Sequence, residues 1–246
     1  MKVLSIDLDY IMGSSLLLYN SLFHDENPSV RWKKIFEFSD FSESHFYIDQ
    51  SALLFCFDIF LKSLKNSKSF SFGYEHDDIL HSISDYSNIE LINVDHHDDV
   101  FMNNSFDLFG SNEKSMDYEY ENIKKCNYVN EGNWIGWLAS KGKLKSCVWI
   151  TNPDSSHRGK SNIILKYIPK FYDIERHEIT FQDYNFDHVF LCLSPQYVPK
   201  NHWHYFRMFL NAYEEFTGNQ PVIITNKNKK FELEFRYTEV NDAILH

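Results

Sequence analysis

The chain is short of the residues that interrupt or staple a fold. It has 8 glycines and 6 prolines in 246 residues, and no Pro-, Gly- or Ser-rich tract divides it, so the expected organisation is one domain over residues 1–246. Its four cysteines, Cys56, Cys126, Cys147 and Cys192, lie far apart and mostly inside apolar runs. Such thiols behave as small hydrophobes, which excludes a disulfide framework and fits a reducing compartment. No apolar run approaches the length needed to span a bilayer. Asp7 and Asp9 also interrupt what would be the apolar segment of a secretory signal. The expectation is a cytoplasmic protein without a membrane partner. Cationic residues are scarce as well: 24 Lys and Arg against 35 Asp and Glu give a formal net charge of -11. That balance argues against general nucleic-acid binding and is compatible with a cationic partner. A local basic run, residues 227–230, reads as a solvated hairpin.

Apolar residues, by contrast, are plentiful. They make up 43% of the chain and include 22 Phe, 15 Tyr and 5 Trp, ample for a core and with aromatics to spare for a binding surface. Residues 51–65 are expected to form a helix capped by Ser51, with Lys62 and Lys65 near its carboxyl end. Residues 77–86 carry Ile79, Leu80 and Ile83 at helical spacing between a strand ending near Gly73 and one ending at Val94, a β-α-β arrangement that demands parallel strands. Residues 13–23 read as a loop leading into a short helix, and residues 26–41 show no clear period. Residues 101–128 are polar and unperiodic, a functional loop or lid. A short helix over 133–140, strands over 145–151, 161–167 and 188–193, a helix over 201–216 stopped by Gly218, and strands over 221–225 and 231–237 complete the reading. The alternation predicts an α/β fold, a three-layer α/β/α sandwich around a mainly parallel sheet.

Three strand ends carry ligand-type residues. Asp95-His96-His97-Asp98-Asp99 follows the apolar run Leu91-Ile92-Asn93-Val94, and in an extended segment Asp95, His97 and Asp99 share one face. Lys2-Val3-Leu4-Ser5-Ile6 leads into Asp7-Leu8-Asp9, an alternating pair of acids. Gly73-Tyr74-Glu75-His76 closes an aromatic run. Sites in open parallel sheets form outside the carboxyl ends of the strands, where separate strands can deliver groups to one place. Carboxylates with imidazoles suit a hard or borderline divalent cation, with Mn2+, Mg2+ and Zn2+ all open at this point.

These residues resemble a known family. Asp95-His96-His97-Asp98-Asp99 matches the D-x-H-x-D signature of the arginase-like ureohydrolases, Ser5-Ile6-Asp7-Leu8-Asp9 looks like their S-x-D-x-D signature, and His76 stands where they have the histidine of a G-G-D-H segment. Together with Asn133-Trp134 and Val148-Trp149-Ile150, the set is similar to a divergent branch that includes the peptide arginases. These convert arginine to ornithine within ribosomally made precursor peptides. The order departs from ordinary arginases, which place S-x-D-x-D after D-x-H-x-D, and near that late position stands Leu191-Cys192-Leu193-Ser194-Pro195, without acids.

The resemblance implies an arginase/deacetylase-like fold and two Mn2+ ions. His76, Asp95 and Asp99 would hold one ion, His97 and Asp9 the other, with Asp7 and Asp95 bridging. It implies catalytic roles for Asp99, His96 and Glu131, and as substrate an arginine-containing precursor peptide. Chemistry explains the demand for two metals: a guanidinium is delocalised and essentially never deprotonated, so only an activated water can attack it. Glu131 and Asp98 are candidates for the acidic surround of such a cation, although Glu131 also suits the start of a helix. His96 is read as a residue behind the ligands or a proton shuttle, and His157 as a loop histidine that could donate a proton. Two other readings stay open: a hydrolase of free arginine, agmatine or an acylated amine, and a non-catalytic metal- or peptide-binding protein.

Overall fold

The structure, a computed structural model, describes residues 1–13, 27–38, 41–101, 113–126, 129–153, 155, 164–181 and 183–225. Its centre is a seven-stranded sheet, parallel throughout. In chain order the strands are β1 (Lys2–Asp7), β2 (Phe70–Gly73), β3 (Ile89–Asp95), β4 (Leu144–Thr151), β5 (Phe171–Glu175), β6 (His188–Cys192) and β7 (Ile223–Ile224). In space they run β5-β4-β3-β1-β6-β2-β7. The amino-terminal strand is therefore central, and its register sets Ile6 opposite Val94 of β3 and Asp7 opposite Cys192 of β6.

Alternation along each strand feeds two apolar layers. Leu4 and Ile6 of β1, with Val189 and Leu191 of β6, pack into one cluster with α1 (Pro28–Phe38), α2 (Gln50–Leu64) and α6 (His204–Thr217). Val3, Phe190, Cys192, Cys147 and Trp149 face the other way, toward α3 (Leu80–Ile83), α4 (Glu113–Cys126) and α5 (Trp134–Ser140). Strands covered on both faces must be apolar on both, and the sequence of β6, His-Val-Phe-Leu-Cys, is buried at every position. This is the three-layer α/β/α sandwich that the sequence predicts.

Several element boundaries differ from expectation. Helix α2 is capped by Asp49 rather than Ser51: its carboxylate accepts the amides of Ser51 and Ala52 at 2.8 and 3.1 Å. Residues 28–38, which show no period in the sequence, form α1, because fully buried Arg31 occupies the core face beside Trp32 and Ile35. Arg31 donates through Nη1 to the carbonyl oxygen of Gln196 at 2.7 Å, and its guanidinium carbon lies 5.6 Å from the Tyr197 ring. Residues 113–126 are helical rather than loop, with Ile123 as the buried contact. Residues 164–170 are a turn where a strand was expected, and the strand comes later as β5, an edge strand whose polar residues disguise it. Strands β2 and β3 are parallel but not neighbours, since β6 and β1 lie between them. Residues 14–23 of the expected loop and short helix, the expected strand 231–237, the basic run 227–230 and His157 lie outside the described residues.

Candidate metal centre

Both acid-bearing strands stop at their first aspartate. β1 ends at Asp7, and Leu8–Ile11 is a 3-10 turn whose start is fixed by the Asp7 side chain accepting the amide of Asp9 at 3.0 Å. β3 ends at Asp95, whose Oδ1 accepts the amide of His97 at 2.8 Å. The predicted alternation on an extended face is thus replaced by two turns of the same kind, an Asp side chain holding the amide two residues on. Asp99 completes the second turn in the left-handed region, with φ 51. The result is still convergence, reached by turning the chain rather than by extending it.

His76 arrives from the end of β2. Gly73 is required there, because a Cβ would meet Phe190 Cζ at 2.7 Å and Asp78 Cβ at 2.9 Å. Asp78 Oδ2 accepts the amides of Tyr74 and Glu75 at 3.2 and 3.1 Å, which fixes the turn presenting the imidazole. The ring is held from behind, with Nε2 2.6 Å from Ser5 Oγ. Its Nδ1 lies 2.7 Å from Asp99 Oδ2, 2.9 Å from Asp95 Oδ2 and 3.2 Å from Asp7 Oδ2. None of these three approaches has hydrogen-bond geometry.

A second group adjoins the first. His97 Nδ1 is 2.9 Å from Asp9 Oδ2 and 3.8 Å from Asp95 Oδ1. Asp95 thus belongs to both groups, Asp7-His76-Asp95 and Asp9-Asp95-His97, in each of which the ligand atoms lie within 4.8 Å of one another. Asp7 belongs to the first group, with Oδ2 toward His76 and Oδ1 accepting the Asp9 amide.

The donor set fits a divalent cation. Cis ligands of an octahedral ion bound at about 2.1 Å stand about 3 Å apart, which is the spacing found around His76 Nδ1. Asp9 Oδ2 and His76 Nδ1 are buried polar atoms without a hydrogen-bond partner, the signature of groups shaped for something other than each other. Electrostatics point the same way. Burial, then the charges of Asp7 and Asp95, push the Asp9 carboxyl well above its ordinary range. Burial and Asp95 do the same to Asp99. Burial works against the charged form of His76, yet Asp95 and Asp99 hold its imidazolium well above the usual histidine range. Burial opposes the ionised form of Asp95 too, and His76, then His97, still keep that carboxyl well below the ordinary range. The cluster is short of positive charge, and it retains protons in compensation.

No protein-family model, curated protein or solved structure matches the chain. The site therefore rests on its own geometry.

All six predicted ligands, Asp7, Asp9, His76, Asp95, His97 and Asp99, meet at the carboxyl ends of β1, β2 and β3. His96 is buried with its ring 5.5 Å from and perpendicular to that of His97, and it lies in neither ligand group. Asp98 turns away to accept the amide of Val100 at 2.9 Å. Glu131 comes together with Glu75 and Asp77 in a third acidic group. Its charge, after burial, raises the phenol of Tyr197, whose ring lies 4.8 Å from that of His97. Sequence reasoning passed over the residues that hold the ligands. Trp134 Nε1 donates to Asp99 Oδ2 at 2.7 Å, Asn93 Nδ2 to Asp95 Oδ2 at 3.2 Å, and Ser194 Oγ to Asp7 Oδ2. Ser5 was legible, being in phase with Asp7 on β1. Ser194 stands in the acid-free run Leu191-Cys192-Leu193-Ser194-Pro195, where nothing in the sequence marks Asp7 as its partner.

Proposed function

We propose that this chain is a metal-dependent amidinohydrolase that binds two divalent cations, Mn2+ foremost, and converts arginine side chains of a ribosomally made precursor peptide to ornithine with release of urea. The observation that carries the reading is Asp95, whose two oxygens face different imidazole-carboxylate groups. A pair of cations held there supplies Lewis-acid charge and a water that loses its proton near neutral pH.

The protein's own part is to hold, orient and shield. Ser5 fixes His76 through the ring nitrogen turned away from the acids, while Asn93 and Trp134 fix Asp95 and Asp99 by donating to the same Oδ2 oxygens that face His76 Nδ1. Such outer partners set ligand direction and basicity. The His97 side chain is 21% exposed while that of His76 is 2% exposed, so the His97 side is where a substrate gains access. Glu75, Asp77 and Glu131 supply negative charge for a cationic side chain, which a dinuclear centre would otherwise repel. The peptide as substrate, and the ornithine product, rest on the motif resemblance set out above.

The test is co-expression of the chain with an arginine-containing precursor peptide, followed by mass spectrometry of the peptide. The expected product is lighter by about 42 Da for each arginine converted, with urea released when purified chain, Mn2+ and peptide are combined. Urea from free arginine or agmatine, with the peptide untouched, would shift the reading to a small-molecule hydrolase. Full loading with Mn2+ and no urea from any guanidino compound would overturn the enzymatic reading.

A further inference from the structure

The loop after β6 reaches the metal-type groups without bringing a carboxylate. Leu191-Cys192-Leu193-Ser194-Pro195 stands where the family resemblance leads one to look for acids, and it has none. In the fold it continues the β6–β2 ladder beyond the strands: the Leu193 amide donates to the Gly73 carbonyl at 3.1 Å and the Ser194 amide to that of Tyr74 at 2.9 Å. The chain then turns sharply at Ser194, with φ 48. A non-glycine residue in that left-handed region is strained. The turn is closed by the amides of Tyr197 and Val198, which donate to the Ser194 carbonyl at 2.8 and 2.9 Å.

With its main chain held on both sides and only 6% of the residue exposed, Ser194 directs its hydroxyl inward. Oγ donates to Asp7 Oδ2, the same oxygen that lies 3.2 Å from His76 Nδ1. The other Asp7 oxygen accepts the amide of Asp9. Each oxygen of this carboxylate thus has one protein donor, and its rotation about χ2 is blocked. Cys192 Sγ, 3.3 Å from Ser194 Oγ, packs behind the pair.

We propose that Ser194 is a positioning residue of the metal centre, its hydroxyl fixing the Asp7 carboxylate so that Oδ2 would face a cation shared with His76 and Asp95. The inference rests on the dinuclear reading above, and it assigns the acid-free loop a function: it supplies a hydroxyl that orients an acid delivered by β1.

The experiment compares full-length wild type with Ser194→Ala and Ser194→Gly by Mn2+ titration calorimetry and electron paramagnetic resonance. Alanine deletes the hydroxyl and keeps the strained backbone. Glycine deletes the hydroxyl and accepts the left-handed backbone freely, so this variant folds even if alanine does not. Both are expected to weaken one of the two Mn2+ sites by roughly 10- to 100-fold, and to replace the spectrum of a coupled Mn2+ pair with that of a single ion. A Ser194→Gly protein that binds both ions as tightly as wild type would overturn the positioning role while leaving the metal centre standing. A wild type that binds no Mn2+ would remove both.

Discussion

Aspartate 95 spends its two oxygens on two different imidazoles, Oδ2 at 2.9 Å from His76 Nδ1 and Oδ1 at 3.8 Å from His97 Nδ1. Because the two groups share it, its loss should act on both. Asp95→Ala is expected to bind neither cation, whereas His97→Ala keeps the ion of the His76 group. Metal content after gel filtration decides this: an Asp95→Ala protein retaining a full complement of Mn2+ would reject the shared role. At this scale the acids and imidazoles that converge were readable, because they recur at the ends of three apolar runs. Their supports were not. A serine or tryptophan gives no sign in sequence of the carboxylate it will meet, and Ser194 lies 187 residues from Asp7 in the chain.

Elements show where pattern suffices and where it does not. The helix over residues 50–64 and the strands β1, β3, β4 and β6 follow from apolar runs alone. Helix α1 did not, because a buried arginine breaks its apolar stripe, and that arginine donates to Gln196 on the loop after β6. The β2–β6 pair carries a feature with a measurable consequence. His188, at the start of β6, has Nδ1 2.8 Å from Ser69 Oγ and Nε2 2.7 Å from Ser71 Oγ, and burial pushes its pKa from 6.5 down to about 4. Between those values the unfolded chain binds a proton that the folded chain refuses. Its contribution to stability is therefore complete above about pH 6.5 and is lost as pH falls toward 4, on the order of 3 kcal/mol at most. Urea unfolding of wild type and His188→Gln across that interval should show a steeper acid loss in wild type. Parallel curves would refute the assignment.

For the molecule as a whole, the decisive fact is that β1 lies between β3 and β6. That placement sets Asp7 and Asp9 beside Asp95 and lets β2, on the far side of β6, deliver His76 over the carboxyl ends of the strands, where parallel sheets build their sites. Among the described residues no helix is long and apolar enough to cross a membrane. A divalent cation taken up by this assembly would compete with protons. Asp9, Asp99 and His76 hold protons more tightly than usual, and a cation must displace them. Mn2+ affinity should therefore fall as pH is lowered, with protons released on binding. Calorimetry at about pH 8 and about pH 6, in buffers of differing ionisation enthalpy, measures this. Binding that is indifferent to pH and buffer would contradict it.

The sequence by itself determined the layer architecture and the acids and imidazoles that stand at the strand ends, because burial on both faces of parallel strands demands apolar runs that the ionisable residues can only terminate. Only the tertiary structure decided which strands are neighbours, which aspartate serves two groups and which hydroxyl steadies Asp7. Several of these contacts join residues far apart in the chain, Ser5 with His76 at a separation of 71 and Asp7 with Ser194 at 187, and local pattern carries no information about partners brought together by sheet order.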